Sequence, residues 1–426
     1  MQTLTQAAKK TNAWLWIPTL YFASGLPYHA ITSISDIMYK DMGVDNATIA
    51  LYTGIFLIPW TIKPLWSPFV ELLSTRRKWT LYSQLLLVLC FAAVAVSVPM
   101  ESFLLLTIIA FMAGAFVSST HDIALDGFYI LGLSQKEQSF FSGIRNTFYR
   151  IATVFGSGFL VMLAGTLGNT CGKTMGWSAT FAVTSIIMLA LFLYNRKAMP
   201  KPENDIDRAP GSIKEVFSNF GDIIKTYFQK PGIFTALLFL LLFRFPEAQL
   251  GKIGKLFLMD TANMGGLGLG MEEIGFANGV IGIIGLILGG IIGGICISQN
   301  GLKYWLWPMV IAISLPDAVY VYMSMALPDS MGIICSCIFV EQFGYGFGFT
   351  AYTLYMIYFA QGKYPTAHFA ISTAFMSLGV MLPSMASGYI QQWLGYENFF
   401  IWVMACTTVT FAVSALIKID PGFGKK

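Results

Sequence analysis

Charge is what this 426-residue chain has least of: Asp, Glu, Lys and Arg together make up 11% of it, against about 25% in a soluble globular protein. With 56% hydrophobic residues beside that shortage, a soluble domain is excluded and a polytopic membrane protein is what remains. Histidine is scarcer still. The three present (His29, His121 and His368) lie far apart, so no metal-ligand spacing emerges and no metal site is expected. Six cysteines give no disulfide framework, because Cys90, Cys296, Cys335, Cys337 and Cys406 lie in apolar runs and Cys171 stands alone in a loop. The net charge of +4 carries no message about nucleic acid, since its distribution follows topology.

What the chain does have is long apolar runs. Twelve reach spanning length, roughly 20 residues each, near 14–38, 47–72, 79–99, 103–131, 139–167, 176–195, 232–260, 273–298, 304–327, 331–360, 366–390 and 397–418. The first follows a polar arm with Lys9 and Lys10 and lacks a convincing cleavage site, so it reads as a retained helix. Of the 26 basic residues, six fall inside spans, eighteen fall on the side of the termini, and only Lys40 and Lys173 fall on the other. The positive-inside rule then places both termini in the cytoplasm.

The longest polar stretch, 196–230, begins with Lys201-Pro202-Glu203-Asn204-Asp205, as a linker does. Ser212 and Glu215 have the spacing of a capping box, and Ile213, Val216, Phe217, Phe220, Ile223, Ile224 and Tyr227 follow at helical spacing. The expectation is an amphipathic helix on the inner membrane face, tethering two bundles. It divides the chain into an N-terminal six-helix bundle (1–195), a linker (196–230) and a C-terminal six-helix bundle (231–426). The halves faintly repeat: Thr53-Gly54 to Lys78-Trp79 runs parallel to Asn278-Gly279 to Lys303-Tyr304. An all-α membrane protein of twelve helices in two such bundles follows the plan of the major facilitator superfamily.

Ionisable residues inside spans are expensive, at least about 2.5 kcal/mol each, and so mark function. The bases are Lys63, Arg145, Arg150, Arg244, Lys252 and Lys255; the acids read at depth are Asp122, Asp126, Glu247 and Glu341. Asp122 and Asp126 are four apart and share a helix face, with Arg145, Arg150 and Lys63 at comparable depth. An Asp122–Arg150 pair is expected. Asp126, Glu71, Arg76, Arg77 and Arg145 are candidates for gating contacts. In Arg244-Phe245-Pro246-Glu247 the proline removes a backbone donor near the midplane. Arg244 is therefore the expected carboxylate ligand, steadied by Glu247, with Lys252 beside it and Lys255 snorkelling outward. Glu341 has no basic neighbour on its helix, and a carboxyl that alternates between protonated and charged could couple proton entry to substrate entry. Glu341 and Asp122 are thus the proton-coupling candidates. Gln342, Tyr28 and His121 complete the expected substrate contacts, together with Asp122, Arg150 and Lys63.

One motif points elsewhere. His121 and Asp126 match an H-x₄-D acyltransferase dyad. Residues five apart on a continuous helix sit about 140° from each other, and no breaker precedes Gly127, so the enzyme reading is a remote alternative.

The residues also resemble the AmpG-type muropeptide permeases of the major facilitator superfamily. The likeness is carried by Phe22-Ala23-Ser24-Gly25-Leu26-Pro27, by Lys63-Pro64-Leu65-Trp66-Ser67-Pro68 with the Arg76-Arg77-Lys78-Trp79 turn, and by Asp122-Ile123-Ala124-Leu125-Asp126 with Tyr149-Arg150. Further on, Arg244-Phe245-Pro246-Glu247-Ala248, Glu341 with its glycine run and Thr366-Ala367-His368-Phe369-Ala370-Ile371-Ser372 extend it. The resemblance implies a proton-coupled symporter working by alternating access. It would import anhydro-muropeptides or anhydro-MurNAc sugars across the bacterial inner membrane for peptidoglycan recycling. No cofactor is implied, the proton gradient being the driving force; the expected partners are an anionic sugar or sugar-peptide and the bilayer, and the expected state is a monomer. Another anionic solute, acetyl-CoA-like or a sugar acid, is the alternative cargo.

Overall fold

The computed structural model describes residues 12–67, 70, 74–133, 135–202, 205 and 213–424. Among the described residues, ten helices are long and apolar enough to cross a membrane. The last of them, Ala367–Leu416, bends at Gly395, whose φ of 74° breaks it into two spans. A further span runs over 17–41, which makes twelve. We number the helices α1 (17–41), α2 (Asn46–Leu65), α3 (Arg76–Ser97), α4 (Phe103–Gly132), α5 (135–171) and α6 (Lys173–Ala198). The linker helix is α7 (Ile213–Phe228), and α8 (Ile233–Met259), α9 (Met271–Asn300), α10 (Leu302–Ala326), α11 (Met331–Ala360), α12 (365–394) and α13 (396–416) follow. The apolar runs forecast these spans closely, since hydrophobic length is what a bilayer selects. An even number of crossings puts both ends of the described chain on one face, here the terminal face.

Irregular turns recur inside the spans where function would need them. Segments of π-helix interrupt α1 (Ala30–Ile34), α5 (Phe155–Leu160) and α9 (Ala277–Gly282), a feature common at functional sites. At the α5–α9 crossing Gly279 lies against the backbone of Ser157 and Gly158, where any Cβ would overlap it. As Pro246 predicts, α8 is broken: it stops at Leu242 and resumes at Phe245, with Arg244 as the N-cap of the second piece.

The linker helix does not lie free on a membrane surface. Tyr227 is fully buried and bonds Ser372 (3.0 Å), Thr226 meets His368 Nε2 (3.2 Å), and Lys230 donates to the carbonyls of Phe359 and Gln361. Its apolar side therefore packs on the α11–α12 corner. The capping box at Ser212 lies outside the described residues, as does Glu71.

Candidate functional site

Two polar groups face each other from the two halves. In the N-terminal half, a cavity of about 230 Å³ is lined by Ser24, Lys63, Asp122, Asp126, Arg145 and Tyr149, among others. Asp122 accepts hydrogen bonds from Ser24 Oγ (2.6 Å) and Trp60 Nε1 (3.0 Å). One turn nearer the terminal face, Asp126 lies 3.5 Å from Arg145 Nη1 and accepts from the Tyr21 hydroxyl at 3.4 Å. The Arg145 guanidinium is sandwiched by Tyr21 and Tyr129, 5.1 and 5.2 Å from their ring centres.

In the C-terminal half, the break in α8 presents Arg244. Its Nε and Nη2 both bond Glu247 Oε2 (2.9 and 2.8 Å), and Nη2 also donates to the Tyr345 hydroxyl at 2.8 Å. The rings of Tyr345 and Phe349 flank the guanidinium at 5.3 and 5.1 Å. Between the halves stands Tyr28. It packs edge-on against Trp60 (5.0 Å) and beside Tyr149 (6.4 Å), within electrostatic reach of Asp122 on one side and of Arg244 and Glu247 on the other. Arg150 neighbours Tyr149 and Tyr345. Aromatic side chains thus stand between a guanidinium held in one half and carboxylates held in the other.

Several expectations from the sequence are corrected here. Asp122 and Arg150 are not an ion pair; Asp122 is satisfied by Ser24 and Trp60, and no carboxylate among the described residues reaches Arg150. His121 is fully buried, bonded to Gln84 (3.2 Å), which also receives a bond from Asn195; it belongs to a buried polar cluster away from the cavity. The acyltransferase dyad does not form either, because α4 is unbroken and Asp126 turns to Arg145. Arg145 and Asp126 lie in the same half, so their bridge cannot latch the two halves together. The backbone amides of Arg76 and Arg77 donate to the Asp205 carboxylate of the linker, and Arg77 Nη2 donates to the Arg196 carbonyl. Gln342 donates to the Glu341 carboxylate at 2.9 Å.

Lys252 and Lys255 neither join the Arg244 guanidinium nor snorkel. Lys252 Nζ bonds both oxygens of Asp36 (2.8 and 3.0 Å) and Thr53 Oγ1, while Lys255 lies 3.6 Å from Asp36 and donates to Ser33. Farther toward the face opposite the termini, Lys40 pairs with Asp260 at 2.6 Å, and Asn46 bonds Gln391 and Tyr396, both at 2.8 Å. These contacts join the two halves and close that face. The sequence reading missed Asp36, Asp260, Asp317 and Tyr345. An acid in the last turn of an apolar run, four residues before Lys40, was the available sign for Asp36.

The chain matches the Major Facilitator Superfamily model over residues 19–382. It is 27% identical over 412 residues to the protein named as transporter AmpG 4 in Rickettsia conorii, covering 93% of each chain. To the anhydromuropeptide permease of Escherichia coli K12 it is 23% identical over 393 residues, covering 91% of this chain and 76% of that one. Among solved structures, a point mutant of the nucleoside transporter NupG superposes with a TM-score of 0.67 at 14% identity, covering 94% of this chain and 99% of the other. The AmpG-type resemblance read from scattered motifs thus extends along nearly the whole length. Helix order, broken spans, buried polar contacts joining the two halves and the matched family model agree: this multi-pass membrane transporter belongs to the major facilitator superfamily.

Proposed function

We propose that the protein imports anhydro-muropeptides or anhydro-MurNAc-containing sugars across the bacterial inner membrane, driven by protons, for peptidoglycan recycling. The observation that carries the reading is the Arg244 guanidinium, half-buried at the break of α8 and held by Glu247 and Tyr345. Such a fork grips a carboxylate through paired hydrogen bonds, and a muramic sugar supplies one on its lactyl ether. The aromatic walls suit the apolar faces of sugar rings, and the similarity to a permease named for this cargo supports the same assignment. Contacts of Asp36 and Asp260 across the halves on the opposite face support a state in which the site exchanges with the terminal face, one state of an alternating-access cycle.

Proton coupling is assigned to Glu341, buried in α11 with the Gln342 amide as its hydrogen-bond partner. The test is uptake of labelled GlcNAc-anhydro-MurNAc into right-side-out vesicles. Accumulation should collapse with a protonophore, anhydro-MurNAc should compete, and free GlcNAc, which lacks the carboxylate, should compete poorly. Glu341→Gln should exchange substrate without concentrating it. Equal competition by GlcNAc would move the cargo to a neutral sugar.

A further inference from the structure

The proposed substrate site uses Arg244, Glu247 and Tyr345 but leaves a second buried polar cluster unexplained. Helix α10 is interrupted by a 3₁₀ turn, Leu315–Asp317, with Pro316 inside it. Ser314, Asp317 and Tyr320 fall three apart around this turn and so share one side of the helix. Ser314 and Asp317 are each 2% exposed, and Glu341, on the neighbouring α11, is 4% exposed.

Packing sets the two acids on facing turns, within electrostatic reach of each other. Gly344, one turn on from Glu341, sits so close to the Ala312 carbonyl and the Pro316 ring that a Cβ would overlap both. That approach sets the broken turn of α10 against the Glu341 face of α11. Asp317 has Glu341 and Glu247 as its charged neighbours, and the Tyr320 hydroxyl neighbours Glu341, Asp317 and Cys337. From α8 come Glu247, already bonded to Arg244, and Gly254 against the Tyr320 ring. From α13 the Tyr320 neighbour is Phe400, and Glu397 is exposed.

Among the described residues no lysine, arginine or histidine pairs with either acid. Asp317 Oδ2 and Ser314 Oγ are buried without any hydrogen-bond partner, which a native interior rarely tolerates. Two anions at this depth with no cation would cost several kcal/mol apiece, so a positive charge must be supplied from outside the chain.

We propose that Asp317 and Glu341 form a carboxyl pair that holds the transported proton, with Asp317 the unassigned half of the site. A proton bound by one carboxylate lets that acid donate a hydrogen bond to the other, and departure of the proton restores two anions and destabilises the packed turn. Among the described residues no group of three or more His, Cys, Asp or Glu side chains is placed to hold a metal ion, while one proton neutralises the orphaned Oδ2. The pair deepens the proton-coupled reading above and rests on it.

The test uses the full-length protein in proteoliposomes and in detergent. Asp317→Asn, like Glu341→Gln, is expected to abolish accumulation driven by an imposed proton gradient while substrate exchange persists. In infrared spectra, either substitution should remove the same protonated-carboxyl C=O band. Normal accumulation by Asp317→Asn overturns the pair, as does a band that survives Asp317→Asn but not Glu341→Gln. A band that responds to sodium at constant pH would make the site a metal-cation site and also overturns the proposal. Should Asp317→Asn fail to fold, Asp317→Glu keeps the carboxyl and is expected to keep both the band and coupling; loss of both in a folded Asp317→Glu overturns it. If wild type does not accumulate substrate under a proton gradient, the transport reading fails, and the infrared arm still decides the pair.

Discussion

Lys252 Nζ sits between the two carboxylate oxygens of Asp36, with 8% and 0% of the two side chains exposed, and this pair joins α8 of one half to α1 of the other. A salt bridge inside one half survives any rocking of the bundles; this one cannot. In the alternating-access cycle proposed above, exchange at the opposite face requires it to break.

Breaking a buried pair by removing one partner typically costs about 3–5 kcal/mol. Lys252→Met should therefore favour the state open on the face opposite the termini. A cysteine introduced at Ala47, buried at that interface, would report the change in a background lacking the native cysteines. Labelling by an impermeant maleimide should rise at least about tenfold, which needs a shift of only about 1.4 kcal/mol. Unchanged labelling would remove the gate assignment.

The linker helix should hold its dock across the ordinary pH range. Hydrogen bonds from Lys363 and Tyr364 (2.9 and 2.8 Å) keep the Asp222 carboxyl below its usual range, and the bonds with Tyr364 and Asp222 raise Lys363. A depressed acid contributes fully above its unfolded value, about 3.9, and loses that contribution as pH falls through the folded value. A raised lysine contributes fully below about 10.4 and loses it as pH rises further. Spin labels at Lys225 and Gln361, both exposed, should therefore keep one separation from about pH 5 to 9 and spread only in strong acid or strong alkali. Asp222→Asn should spread them at neutral pH.

Much of this architecture could be read from the residues alone, and the reason is physical. A bilayer demands continuous apolar length, so hydropathy marked the ends of α4 and α11 within a residue or two. Pro246 announced the break in α8 because a missing N–H interrupts the hydrogen-bond ladder, and Arg244 and Glu247 at i, i+3 announced their pairing. The partner of Lys252 had no such local sign: Asp36 is 216 positions away, and a contact between halves leaves no period in either helix. Asp122 was matched with the wrong base for a related reason. Depth along a helix places a residue at a level in the membrane but does not say which neighbour it turns toward, and Ser24 with Trp60 reached it first.

That difference can be measured. If Asp122 and Arg150 shared a bridge, removing both would recover stability lost by removing either. With no bridge between them, the effects of Asp122→Asn and Arg150→Gln on unfolding in detergent should add to within about 0.5 kcal/mol. A coupling energy of about 2 kcal/mol or more would restore the pair.

Tyr345 is the residue by which α11 steadies the Arg244 fork, through one bond of 2.8 Å and a ring 5.3 Å from the guanidinium. Tyr345→Phe keeps the ring and removes the bond. Hydrogen bonds to charged groups contribute about 1.5–3 kcal/mol, but Glu247 still holds Nε and Nη2, so the lower end applies. KM for an anhydro-MurNAc substrate should rise about tenfold with the proton-driven maximum rate little changed. Arg244→Lys should weaken binding more, because a single ammonium keeps the charge and loses the paired geometry that a planar carboxylate matches. The order of the two effects is the informative result: if Arg244→Lys binds as wild type does while Tyr345→Phe does not, the cargo is recognised through the tyrosine hydroxyl, and the carboxylate fork is wrong.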